Sequence, residues 1–204
     1  MCDALLICGD SAVLVESKGA TFTAEAKYGT NPAKLRAEID EKFVETDGHR
    51  KGVGQLANRI EQVFSRTRPR RIEGVDVSRV VKVYPVLISR DDIGAALVIN
   101  AYLASRFRDM FHRKSVSVTV TPPFSLSAQD IEMICGYFRD ASFSDLLEAR
   151  YRSETSLLSS FWLVDNPTID LIGDRDCKVL THAMHEYFDS IKNLLFPGIE
   201  IPTP

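Results

Sequence analysis

DALLICGDSAVLVESKG, residues 3–19, decides how this chain is read. Asp3 to Cys8 reads as a short strand, Gly9-Asp10 is a turn dipeptide, and Ser11 to Glu16 returns as a second strand. Two strands joined by so few residues must be antiparallel neighbours. In such a hairpin the start of the first strand lies opposite the end of the second, so Asp3 is expected beside Glu16. Side chains alternate along a strand, which puts Glu16 and Lys18 on one face, with Lys18 just past the open end of the hairpin.

Outward from the hairpin, KGVGQLANRIEQVF at 51–64 carries Val53, Leu56, Ala57, Ile60, Val63 and Phe64 at helical spacing, an amphipathic helix. RVVKVYPVLIS at 79–89 is the strongest strand signal in the chain. Strands separated by a helix imply an α/β or α+β core: a mixed sheet flanked by helices. Between these segments, Pro32 to Phe43 is expected to be helical, with Pro32 in the first turn and Asn31 as cap. The second half reads as largely helical, over Ala95–Phe111, Ser127–Phe138, Ser144–Arg152 and Cys177–Leu195, with one alternating strand at Ser115–Thr121. Ser127-Ala-Gln-Asp130 has the spacing of a capping box. The expected organisation is an α/β core over 1–94, with 95–204 packed on it as a mainly helical extension of the same compact domain.

The 204 residues include 45% apolar and 26% charged residues, with a net charge of −3, ordinary values for a globular protein. No apolar run reaches the roughly 18 residues of a membrane span, and no basic-then-apolar leader precedes the first strand. Cys2, Cys8, Cys135 and Cys177 show no paired spacing, so they read as reduced thiols and the expected location is cytoplasmic. His182 and His185 share a helical face beside Glu186 and read as solvated helix surface rather than a metal site. The mild acidity excludes a uniformly basic coat but not a local basic stripe.

Asp3, Glu16, Lys18 and Gln55 form the candidate site. Two carboxylates suit Mg²⁺ or Mn²⁺, hard ions that favour oxygen ligands. A lysine beside such an ion can position an attacking water and offset charge on a phosphate, and Gln55 can support the shell around the ion. Asp3, then Glu16-Ser17-Lys18, then a helix bearing Gln55-Leu56-x-x-x-Ile60, resembles the PD-(D/E)XK nuclease superfamily, over roughly residues 3–88. The resemblance implies a restriction-endonuclease-like fold in which Asp3 and Glu16 hold the metal and Lys18 assists the nucleophilic water. Gln55 would lie near the active site, and DNA would be the substrate. In that superfamily a helix and a first strand precede the first acid, and there is no room for them before Asp3. A sheet short of that strand has an open edge, which makes a homodimer expected.

Lys51 precedes the helix of Gln55, where its amine can meet a phosphate at the helix start; the alternative, which the sequence favours slightly, is a loop lysine. Arg66, Arg68, Arg70 and Arg71 form the densest basic cluster. They can track a phosphate backbone or form a solvated loop, since no aromatic interleaves with them to stack bases. Phe107, Phe111, Tyr137, Phe138, Phe161 and Trp162 read as core. Three functions stand: a metal-dependent nuclease acting on DNA; a catalytically incomplete nuclease-fold protein serving as a nucleic-acid-binding or assembly module; and, with the match accidental, a protein-interaction domain with a helical tail.

Overall fold

A computed structural model describes residues 3–66, 71–72, 74–134 and 142–152. The chain divides into two units, Met1–Asn166 and Pro167–Pro204, and all described residues belong to the first. The helix expected at 177–195 and the histidine pair within it therefore lie outside the described residues, as do Tyr137, Phe138, Phe161 and Trp162.

In chain order the main elements are β1 (Ala4–Cys8), β2 (Ser11–Lys18), α1 (Ala24–Tyr28), α2 (Pro32–Ile39), β3 (Glu45–Thr46) and β4 (His49–Arg50). There follow α3 (Gly52–Val63), β5 (Arg71–Ile72), β6 (Val75–Asp76), β7 (Lys82–Ser89) and α4 (Leu97–Met110). The last described are β8 (Thr119–Val120), β9 (Phe124–Ser127), α5 (Ala128–Ile134) and α6 (Phe143–Arg152).

The hairpin forms as its sequence predicts. Gly9 takes a φ of +63° at the turn, a conformation glycine adopts without a Cβ clash, and β1 pairs antiparallel with β2, Ala4 opposite Val15 and Cys8 opposite Ser11. β2 then pairs in parallel with β7 along its whole length, from Ser11 opposite Lys82 to Lys18 opposite Ser89. A parallel neighbour requires a crossover, and α3 lies within the segment that makes it. The result is a mixed sheet in the order β1–β2–β7, with β8 and β9 both parallel to the far side of β7.

Helices cover both faces. Ala12 and Leu14 of β2 and Val83 and Leu87 of β7 pack in one cluster with Val53, Leu56, Ala57 and Ile60 of α3 and Ile99, Leu103 and Phe107 of α4. The intervening residues, Val13, Val15, Tyr84 and Val86, pack on the opposite face with Phe124, Leu126 and Leu147. Each such side chain, fully buried, contributes about 1.5–3 kcal/mol. The expected core role holds for Phe107, which is buried and stacks on Phe111 at 5.2 Å between ring centroids.

Three segments differ from the sequence reading. The helix predicted from Pro32 to Phe43 stops at Ile39 and gives way to a π-helical turn over Asp40–Val44, closed by the Glu45 N–H donating to the Asp40 carbonyl. That wider turn lets the adjacent residues Phe43 and Val44 both reach the core. Before it, Thr23 caps the unpredicted α1 by accepting from the Ala26 N–H. The strand predicted over Ser115–Thr121 is only Thr119–Val120, and β9 follows where no strand was expected. Between them, Thr121, Pro122 and Pro123 face Tyr84 and Pro85 of β7, three residues against two. The donors that three prolines lack fall together at this break, so the ladder loses little by interrupting there. The capping box forms: Ser127 N–H donates to Asp130 Oδ2 at 2.8 Å, and Asp130 N–H to Ser127 Oγ at 3.0 Å.

Candidate active site

Asp3 lies at the open end of the hairpin, next to the end of β2. The Asp3 N–H donates to the Val15 carbonyl at 3.0 Å, one residue out of the register that pairs Ala4 with Val15, so the regular ladder ends at Ala4 and Asp3 sits beside Val15 and Ser17. Glu16 and Lys18 extend the row of Ala12 and Leu14 on the face covered by α3, so the acid lies at the margin of an apolar cluster. Glu16 is only 3% exposed, and a carboxylate is costly there unless charge and hydrogen bonds answer it.

One of its oxygens is answered. Lys18 Nζ donates to Glu16 Oε1 at 2.7 Å and to Gln55 Oε1 at 2.6 Å. The same Gln55 oxygen accepts from the Gly52 N–H at 3.0 Å, so the first turn of α3 fixes the amide that fixes the lysine. Glu16 Oε2 is buried without a hydrogen-bond partner among the described residues. A buried polar atom in that condition costs about 1–3 kcal/mol. An ammonium has three N–H groups; with two committed, Lys18 has one left, and its side chain retains 19% of its surface. Asp3 is exposed and accepts from the Ser17 N–H through Oδ2 at 2.6 Å, leaving Oδ1 open. Carboxylate oxygens near an ammonium suit a hard divalent cation, and the orphaned Glu16 oxygen fits such a donor set.

Two glycines allow this arrangement. Gly52 has a φ of +39°, and a Cβ there would sit 2.5 Å from the Phe43 carbonyl oxygen; one on Gly54 would lie 2.6 Å from that of Val44. Only glycine lets the start of α3 close onto the π-helical turn. The spacing KGVG held the signal, but the partner backbone was not readable from sequence.

The surrounding loops are knitted by charge. Asp91, just past β7, accepts from the Phe22 and Ile93 N–H groups and pairs with Lys27. Burial pushes its carboxyl up, but Lys27 and the two amides outweigh that and hold it below the usual range. Glu38 accepts from Lys42 at 2.8 Å and from the Thr23 N–H and hydroxyl, which bring its carboxyl down to about 2.

The structure does not bring every expected site residue together. Lys51 caps α3 within one turn of Gln55: its carbonyl accepts from the Gly54 and Gln55 N–H groups. Arg66 and Arg71 follow the other end of α3, a helix of 12 residues and so about 18 Å long. Arg66 is committed to structure, its Nε donating to the Val116 carbonyl at 3.1 Å. Arg68 and Arg70 lie outside the described residues. Comparison with family models, with curated proteins and with solved structures returns no match.

Proposed function

We propose that the chain is a metal-dependent nuclease of restriction-endonuclease-like architecture, hydrolysing phosphodiester bonds, with DNA as substrate. The observation that carries the reading is Glu16 Oε2: a buried carboxylate oxygen without a donor among the described residues, on the acid whose other oxygen is bonded to the lysine that Gln55 holds. Asp3 and Glu16 would hold Mg²⁺ or Mn²⁺. When bound, such an ion supplies Lewis acidity toward water and phosphate. Lys18, held between Glu16 and Gln55, offers its third N–H to the attacking water or a phosphate oxygen, offsetting charge as it develops. Gln55 orients that ammonium through the oxygen anchored on Gly52. The antiparallel hairpin followed by a parallel strand beyond a helix supports the architectural half of the reading.

The reading places the protein in the cytoplasm; no described helix is long and apolar enough to cross a membrane. It also sets a second copy of the chain against β1, an edge strand among the described residues, where Leu6 and Ile7 are 38% and 37% exposed. A second function, a nuclease-fold binding or assembly module without catalysis, is favoured by one observation: Asp3 already commits an oxygen to the Ser17 backbone. The two separate on incubation with linear, circular and single-stranded DNA in Mg²⁺ or Mn²⁺, beside Glu16→Gln and Lys18→Met. Cutting by the parent alone supports the enzyme. Binding without cutting supports the module, and equal cutting by all three proteins marks a contaminant.

A further inference from the structure

We propose that Arg50, Lys51 and Arg90 grip the nucleic-acid backbone on either side of the Glu16–Lys18 centre, and that the arginine-rich segment beyond α3 does not. The inference rests on the nuclease reading for its ligand, and on charge and topology for its location.

Most cations of β2 and of the segments that follow it, up to α3, are already answered. Lys18 pairs with Glu16, Lys27 with Asp91, Lys34 with Glu25 and Lys42 with Glu38. Arg50, Lys51 and Arg90 make no ion pair among the described residues. Glu45 stands opposite Arg50 in the β3–β4 ladder and Asp92 follows Arg90 closely in the chain, yet neither closes onto its neighbour. Side chains left in this condition beside a phosphate-processing centre are free to meet the anion itself.

Their placement is set by backbone. Lys51 accepts the first-turn amides of α3, the turn that holds Gln55. Arg50 runs its stem over Gly54, where an added Cβ would come within 3.2 Å of the arginine Cβ. Asp47 and Gly48, both with positive φ, close the hairpin that delivers the pair. On the other flank the Arg90 N–H donates to the Lys18 carbonyl at 3.0 Å, which ties this arginine to the strand end bearing the site lysine. Two cations thus approach from the helix side and one from the β7 side. Arg71 and Arg79 instead lie beyond the far end of α3 and before the start of β7, where Lys82 pairs with Ser11.

The test uses the full chain in EDTA, so that binding is read without cutting. Fluorescence anisotropy of a labelled short duplex, and of the same oligonucleotide single-stranded, is followed against salt concentration. Glutamine keeps the aliphatic stems and removes the charges. The triple variant Arg50→Gln/Lys51→Gln/Arg90→Gln leaves three phosphates without a neutralising cation. It is expected to lower the slope of log K on log salt by about 2.7 on duplex and about 2.1 on single strands. Each single variant should lower it by about 1, which keeps the test valid if the triple fails to fold. An unchanged slope, or a loss that appears instead in Arg71→Gln/Arg79→Gln, overturns the proposal. A parent that cuts with metal but shows no slope change in the triple leaves the nuclease reading standing and removes this one. A slope change without any cutting does the reverse, and a parent that binds no nucleic acid overturns both.

Discussion

Replacing Lys18 by Met tests the electrostatics of the site without reference to substrate. The stem is kept while the ammonium bonded to Glu16 disappears, leaving a carboxylate 3% exposed with neither oxygen answered by a side chain among the described residues. Removing one partner of a fully buried ion pair costs about 3–5 kcal/mol. Lys18 retains 19% of its side-chain surface, so water can reach the vacated place and the expected cost falls to about 2–3 kcal/mol. Glu16→Gln keeps an oxygen for Lys18 and removes the charge, which limits its cost to about 1–2 kcal/mol. The double variant buries no carboxylate, so its cost should fall below the sum of the singles, with a coupling of about 1–3 kcal/mol. Urea titration followed by circular dichroism gives all three values. For a chain of this size Lys18→Met should lower Tm by about 5–10 °C. If it leaves stability within about 0.5 kcal/mol of the parent, or if the two changes simply add, Glu16 is solvated and the argument for an orphaned acid fails.

Gly52→Ala should destabilise by more than about 1 kcal/mol, because φ is +39° and the Phe43 carbonyl oxygen stands 2.5 Å from the added carbon; an unchanged Tm contradicts the close approach. Glu38, its carboxyl held at about 2 against an ordinary 4.5, contributes stability that is fully present above pH 4.5 and lost as pH falls toward 2. Thermal melts across that window should therefore fall less steeply for Glu38→Gln than for the parent, and parallel curves would refute it. Leu6→Lys places a charge on the β1 edge and should convert a dimer to a monomer in light scattering; a parent that is monomeric at all concentrations removes the second copy from the account.

Most of the hairpin's geometry could be read from sequence because it is local. A turn dipeptide between two apolar runs fixes the register from Cys8–Ser11 to Ala4–Val15, whereas the slip by which Asp3 bonds Val15 instead of Glu16 was not legible. Ser127 and Asp130 announced their capping box for the same reason. What escaped was tertiary. The π-helical turn at Asp40–Val44 answers the packing demand of Phe43 and Val44, and β9 exists only because β7 offers an edge beyond the proline break. The Asp47-Gly48 turn, by contrast, was a strong local signal that went unread among polar residues. How deeply Glu16 is buried was not legible, because that depends on which face α3 covers.

The most direct test is crystallographic. Crystals of the Lys18→Met variant and of the parent, each soaked in Mn²⁺, are measured at a wavelength where manganese scatters anomalously. The account predicts in the parent an anomalous peak bonded to Glu16 Oε2 and to a carboxylate oxygen of Asp3. No peak at that pair, in crystals whose Asp3 and Glu16 are ordered and open to solvent, would contradict it.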